Sequence, residues 1–324
     1  YGENKVLLPG IRAKAINSGH ILGSSSFEIF VSEGKAEKRL VFSSDLGNSP
    51  SNILPDMQYP EGGDAVFIES TYGNELHEPK ENGRQKLKDI IKSVISRQAV
   101  LLIPVFAIER TQELLWELNQ WIKKGDIPAI PVFLDSPLAV KVTDVYRKYA
   151  KEYFNPEAKK FFTDSGDPFS FEGLDSSSRP KEAKKISKVN PPKIILAGSG
   201  MSDGGRIGGY ISEYGRDPKN EILIISYQAE GTLGRRMLEQ KKELHIGKKK
   251  IRLRAKVSSI FSFSSHADRQ KLLQWVEKIN SPRPKRFFVI HGEEASSLSL
   301  AEALKQKTGA DCTVPECGKE YEIA

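Results

Sequence analysis

The sequence is short of cysteine, of histidine and of long apolar runs, and each shortage removes a class of protein. Only two cysteines, Cys312 and Cys317, occur in 324 residues. Two thiols cannot build a disulfide-dense secreted scaffold, and they are too few for a four-coordinate structural zinc site. They read as reduced thiols of a cytoplasmic protein. No apolar stretch approaches the roughly 20 residues that span a bilayer. The longest candidate, Ala99 to Ile108, is interrupted by Pro104, so no membrane partner is expected. Tyr1 to Pro9 show no basic segment leading into an apolar core, so no secretory signal is read there.

What is present is globular in character. Hydrophobic residues at 38% beside 28% charged residues give enough apolar material for a core, and the length leads us to expect two domains. The net charge of +7 favours a polyanionic partner, although such an excess is also common in proteins that never touch nucleic acid.

Two textures divide the chain. To about Tyr72, short apolar strands (Ile11 to Ile16, Ser26 to Val31, Arg39 to Ser43, Ala65 to Glu69) alternate with Gly and Ser turns. From about Asn74, strands alternate with helices: helices at Asn82 to Ser96, Glu109 to Lys124 and Ala139 to Tyr149, strands at Ala99 to Pro104 and Val132 to Asp135. A charged, serine-rich stretch from Asp164 to Lys188 reads as mobile. The rhythm resumes with strands at Lys193 to Ala197 and Glu221 to Ser226 and a helix at Gly231 to Gln240. This alternation predicts a mainly parallel sheet with crossover helices. From about Ser258 short strands return, with one helix at Asp268 to Lys278. The expected organisation is therefore 1–73 and 258–324 as two segments of one domain, with 74–257 inserted as a second α/β domain. The cleft between them is the expected ligand site.

Histidine is scarce, at five residues, so its placement is informative. His20 (Ser-Gly-His-Ile-Leu-Gly), His266 (Phe-Ser-Ser-His-Ala-Asp) and His291 (Phe-Val-Ile-His-Gly-Glu) each pair a strand-like run with a small-residue turn. Asp45 (Phe-Ser-Ser-Asp-Leu-Gly) and Glu69 (Phe-Ile-Glu-Ser-Thr-Tyr-Gly) do the same. Strand ends hold side chains stiffly at loop-lined clefts, and imidazole with carboxylate suits zinc. A lone histidine in an apolar setting is more often a satisfied core residue; the repetition is what points to a hydrolytic metal site. His77 and His245 read as surface residues, His77 with a minor claim to substrate contact.

Two glycine-rich turns could hold phosphate. Ala-Gly-Ser-Gly-Met-Ser-Asp-Gly-Gly-Arg (197–206) follows a strand and opens a helix, which presents backbone amides to an anion. Its Ser199, Gly200 and Arg206 are candidates, against a tight structural turn. It has neither the dinucleotide fingerprint nor a P-loop lysine. Ser-Tyr-Gln-Ala-Glu-Gly-Thr-Leu-Gly-Arg (226–235) adds Tyr227, able to stack on a base, and Arg235. Lys241 to Lys256 carries eight lysines or arginines; on a strand or hairpin this makes a solvated face, with phosphate contact as the alternative.

In order and in context, His20, Asp45, Glu69, His266 and His291 resemble the metallo-β-lactamase-fold nucleases with a β-CASP insertion. The RNA-processing branch, similar to the cleavage and polyadenylation specificity endonuclease and to ribonuclease J, matches best. Ile-Pro-Val-Phe-Ala-Ile-Glu-Arg-Thr-Gln-Glu (103–113), Leu-Asp-Ser-Pro-Leu-Ala (134–139) and Ala-Gly-Ser-Gly-Met (197–201) extend the resemblance over essentially the whole chain. It implies an α/β fold: αββα layers for the lactamase-like part and an α/β cap for the insertion. It implies that His20 binds one zinc ion, Asp45 bridges two, and His291 completes the second. Glu69 would orient His266 as the acid that protonates the leaving oxygen. A histidine at 291 looks like the RNA-acting branch.

One departure stands out. The family's His-x-His-x-Asp-His motif would precede His20, and no His-x-His occurs in the sequence. The lactamase-like fold is therefore expected to be partial and the sequence to be the C-terminal portion of such an enzyme. Two zinc ions are then expected in the complete enzyme and none in this portion alone, which would be inactive or nearly so. The function implied is metal-dependent cleavage of RNA in processing or decay. The alternatives are a non-catalytic RNA- or partner-binding module, or a DNA-directed nuclease. RNA is the expected partner, and homodimerisation is left open.

Overall fold

Strand-forming alternation dominates the opening of the chain, and the computed structural model, which describes residues 1–34, 36–177 and 185–323, folds it as β1 (Asn4–Leu8), β2 (Ile11–Asn17), β3 (Ser25–Glu33), β4 (Ala36–Phe42) and β5 (Ala65–Glu69). The helical period then takes over: α1 (Lys80–Ser96), β6 (Val100–Pro104), α2 (Arg110–Lys124), β7 (Val132–Asp135), α3 (Pro137–Tyr153), α4 (Pro156–Asp164), β8 (Leu174–Ser177), β9 (Lys193–Ala197), α5 (Ile207–Tyr214), β10 (Glu221–Ile224) and α6 (Leu233–Leu238). Next come β11 (Glu243–Ile246), β12 (Lys249–Arg252), β13 (Lys256–Ser259), α7 (Arg269–Glu277), β14 (Arg286–Ile290), α8 (Glu294–Thr308) and β15 (Asp311–Thr313). Of the serine-rich stretch 164–188, residues 178–184 lie outside the described residues; 174–177 form β8.

These elements make two compact units, Tyr1–His77 with the chain from Ser265 onward, and Glu78–Ser264. In the first unit a seven-stranded sheet runs β1-β2-β3-β4-β5-β14-β15. Its first four strands pair antiparallel, whereas β4, β5, β14 and β15 are parallel neighbours. Val41, Val66, Ile68, Phe287 and Val289 pack with Leu272, Trp275 and Val276 of α7 and Leu300 and Leu304 of α8. Helix α8 was not foreseen. Its buried face is built largely from Ser296, Ser297, Ala301 and Ala303, small residues that leave little apolar period to read.

The second unit contains the all-parallel sheet β13-β10-β6-β9-β7-β8. Its central strands β6, β9 and β10 are buried at every position, which is how a sheet covered on both faces reads in sequence. Helices begin where side chains can cap them: Ser136 accepts from the Ala139 amide ahead of α3, and Asn155 from that of Ala158 ahead of α4, each with proline at the first turn. Among the described residues no helix is long and apolar enough to cross a membrane.

Helix α2 buries polar side chains over most of its length, and partners explain it. Gln112 donates to Thr143 Oγ1 at 2.9 Å, Asn119 donates to the Pro168 carbonyl at 2.8 Å, and Arg84 pairs with Glu117 at 2.9 Å. Glu109, just before α2, is 1% exposed and accepts from the Tyr146 hydroxyl. Burial, reinforced by the neighbouring Glu113 charge, pushes its carboxyl from the ordinary 4.5 up to about 8, despite Arg110, Tyr146 and Lys80. Between these values the folded protein holds a proton that the unfolded chain releases, so stability should fall as pH rises from about 4.5 to about 8. Glu109→Gln should flatten that slope and stabilise the protein at pH above 8 by on the order of a few kcal/mol. Urea midpoints measured across this range check it, and parallel profiles for both proteins would refute it.

Candidate metal and catalytic site

The parallel register decides where the candidate residues meet. Leu40 pairs with Ala65 and Ile290 with Glu69, so β4, β5 and β14 end on one edge of the sheet. Asp45 follows β4, Glu69 is the last residue of β5, and His291 follows β14. Strand β2 runs in the same direction as β4, because each is antiparallel to β3, so the turn carrying His20 opens on this edge too. The carboxyl ends of parallel strands are the usual place for ligands in open α/β sheets.

Two loop contacts bring the remaining residues in. The Asp45 loop lies on the His20 loop: the Gly47 amide donates to the Ser18 carbonyl at 2.8 Å. A Cβ at Gly47 would sit 2.0 Å from the Gly19 carbonyl oxygen, so only glycine permits the approach. The loop before α7 then hydrogen-bonds alongside, with Asn48 N donating to Ser265 O and Ala267 N to Leu46 O, both at 2.8 Å. This places His266 beside His20, ring centroids 4.3 Å apart.

Asp45 stands between two histidines. Its Oδ2 is 3.8 Å from His20 Nε2 and its Oδ1 is 3.4 Å from His291 Nδ1. Ligand atoms of His20, Asp45 and His266 all lie within 4.8 Å of one another. Thr71 Oγ1 lies 3.3 Å from His291 Nδ1. His20 is largely buried, with 11% of its side chain exposed, while His291 is open at 57%.

Glu69 is buried behind His266, its Oε1 3.2 Å from Nδ1. The same oxygen accepts from the Leu46 amide at 2.6 Å, and Oε2 accepts from the Thr71 amide at 3.3 Å. Burial alone would raise the Glu69 pKa. The His266 charge and these hydrogen bonds outweigh it and hold the carboxyl below its ordinary range. Glu69 is therefore a carboxylate near neutral pH, placed to accept a hydrogen bond from His266 Nδ1.

His77, read from the sequence as a surface residue, is part of this structure. Its Nε2 donates to the His266 carbonyl at 3.1 Å, its amide donates to Asp268 at 3.0 Å, and its ring meets Tyr72 edge-on at 4.5 Å. Burial lowers its pKa, so it sits as a neutral ring holding the His266 backbone. Asp268, which also caps α7 through the Lys271 amide, is the link that sequence reading missed. His245 is exposed on β11.

The two glycine-rich turns of the second unit lie against each other. Gln228 Nε2 donates to the carbonyls of Gly200, Ser226 and Tyr227, and the Leu233 amide donates to Asp203 at 2.9 Å. Ser199 Oγ donates to the Asp203 carbonyl at 2.8 Å. Gly200 is needed where it is, since a Cβ there would come within 2.5 Å of the Phe106 ring. Arg206 is paired with the fully buried Asp135, which also accepts from Tyr210 at 2.7 Å; burial and that bond push the Tyr210 hydroxyl pKa up. Arg235 bonds to Glu239 at 3.2 Å and to the Gln228 carbonyl. Much of the hydrogen-bonding capacity of these candidates is thus engaged by the protein itself. Asp135, which holds Arg206, and Gln228, which ties the second turn to the Gly200 carbonyl, lie inside stretches singled out in the sequence but were given no role there.

Comparison with known proteins agrees in kind. Residues 111–237 match the Beta-Casp domain, and residues 250–315 match the Zn-dependent metallo-hydrolase RNA specificity domain. An RNase J-like protein of Methanocaldococcus jannaschii is 34% identical over 321 residues, covering 98% of this chain and 72% of that protein. Ribonuclease TTHA0252 of Thermus thermophilus is 34% identical over 287 residues, covering 89% and 64%. Transcription termination factor FttA of Pyrococcus horikoshii is 32% identical over 324 residues, covering 97% and 49%. The chain thus spans about half to two-thirds of the length of the last two relatives.

Proposed function

The chain belongs to the β-CASP metallo-β-lactamase nucleases, and we propose that it forms part of a metal-dependent ribonuclease, with His20, Asp45 and His291 as metal ligands and His266 as general acid. The observation that carries this reading is Asp45 standing between His20 and His291 with one oxygen toward each. A carboxylate so placed suits bridging two ions, and imidazole with carboxylate is a donor set that zinc accepts. Two zinc ions are the proposed complement. Bound there, they would supply Lewis-acid activation of water and neutralise charge at the phosphoryl oxygens.

The protein's own groups have separable tasks. His20, Asp45 and His291 orient the reacting phosphodiester through what they hold. Glu69, ionised and accepting a hydrogen bond from His266 Nδ1, favours the imidazolium and fixes the ring so that the Nε2 proton can pass to the departing ribose oxygen. His77 and Asp268 fix the backbone of the same residue. Ser199, Gly200, Arg206, Tyr227 and Arg235, in the two glycine-rich turns, are proposed to contact RNA.

Incubating the complete natural polypeptide with RNA and with DNA of the same sequence tests the reading. RNA should be cleaved in strong preference. Because water is the nucleophile, the products should carry no 2′,3′-cyclic phosphate. Equal cleavage of both, or cyclic-phosphate ends, would count against it.

A further inference from the structure

His291 holds a backbone conformation that a side chain resists. Its φ is +52°, in the left-handed region where a Cβ crowds the following carbonyl. A residue other than glycine stays there when its surroundings over-determine it. The ring contributes little to that, since 57% of the side chain is exposed. The direction of the imidazole is therefore inherited from the backbone beneath it.

That backbone is pinned by hydroxyls. Ser70, fully buried just past β5, donates from Oγ to the Ile290 carbonyl at 2.8 Å, and its amide donates to the His291 carbonyl at 3.3 Å. The Thr71 hydroxyl reaches the same His291 carbonyl at 3.3 Å. With its one proton given to Ile290, Ser70 Oγ is left to accept from Ser297 Oγ of α8, 2.8 Å away and also buried. Gly292 lets the turn lie this close, because a Cβ there would come within 2.4 Å of Ser70 Oγ. Ser296 of α8 fixes the same segment further on, donating to Asn74 Oδ1 at 2.9 Å. The serines that make α8 hard to read in sequence are thus the groups that seat this turn.

The turn before Asp45 repeats the device. Ser44 is left-handed too, with φ +50°. The buried Ser43 hydroxyl donates to the Ser44 carbonyl at 2.7 Å and accepts from the Glu69 amide at 2.9 Å. Two left-handed turns each carry a proposed ligand, and each is tied by a buried hydroxyl to the end of β5. Filling space alone would need no hydroxyl in either place.

We propose that Ser70 and Ser297 are positioning residues for His291: a buried hydroxyl relay from α8 that fixes the left-handed turn and so keeps the imidazole facing Asp45. The proposal rests on His291 being a metal ligand, as read above. Ser70→Ala and Ser297→Ala nearly keep the side-chain size and remove the relay. In the 324-residue chain, hydrogen exchange followed by mass spectrometry should become faster in the peptide spanning 286–293 in both variants. In the complete natural polypeptide, affinity for one of the zinc ions, measured by competition with a chelating dye, should fall about 10-fold. That is the low end of the roughly 10–100-fold range for groups that support ligands. In a His291→Ala background, Ser70→Ala should cost no further zinc affinity, since its effect passes through the residue already removed. Leu304→Val instead loosens the core under α8; it should lower the urea midpoint comparably and leave zinc affinity unchanged.

Unchanged zinc affinity in both serine variants would overturn the relay. So would an equal loss in Leu304→Val, or the same loss from Ser70→Ala with His291 already gone. Full zinc affinity in His291→Ala itself would refute the ligand reading instead, and faster exchange over 286–293 in the serine variants would still show the hydroxyls holding the turn.

Discussion

His266→Ala in the complete polypeptide should lower RNA cleavage by about 10²–10⁴-fold, the range for losing a positioned proton donor, with RNA affinity nearly unchanged. His266 has two possible employments at this site, since it lies both against Glu69 and within the donor cluster of His20 and Asp45. Metal retention separates them: an acid can be removed with the metal still bound, whereas a ligand cannot. The substituted protein should therefore keep its metal. Glu69→Gln should act through the same residue, because it removes the charge that holds the imidazole. The double variant should then be little worse than His266→Ala alone, as expected for residues that act as one unit. Additive losses, or loss of metal from His266→Ala, would contradict the assigned role.

Asp45→Ala should have an effect of comparable size by a different route. Its carboxylate has one oxygen toward His20 and the other toward His291, so its loss should cost both positions at once. Zinc affinity, measured by competition with a chelating dye, should drop by more than the roughly 10–100-fold typical of groups that merely support ligands. Cleavage should fall with it and recover only partly at high zinc. Asp45→Glu keeps the charge but lengthens the side chain, and should fall between the two. Unchanged zinc affinity in Asp45→Ala would remove the bridging assignment.

The sequence made these residues visible for a physical reason. His20, Asp45, Glu69, His266 and His291 are polar groups abutting strand-like runs, and the repetition of that setting is what singled them out. The all-parallel sheet of the second unit was equally legible, because β6, β9 and β10 read as uninterrupted apolar runs between helical segments. Three things were hidden. Helix α8 buries serines and alanines, so its periodicity is faint. His77 looked like a surface residue because its partners, the His266 carbonyl and Asp268, are distant in sequence. Asp135 and Gln228 sit inside recognised stretches, but their roles were not legible there, since these come from bonds to Arg206 and to the Gly200 and Tyr227 carbonyls. Patterns along one strand survive in sequence; contacts between loops do not.

The most direct measurement is RNA cleavage by that polypeptide after its metal has been stripped by a chelator and zinc returned in steps, with His20→Ala alongside. Activity should vanish on stripping, return in proportion to zinc bound, and fail to return in His20→Ala at the same zinc concentrations. Cleavage that persists through complete metal removal would contradict a metal-dependent centre on these residues.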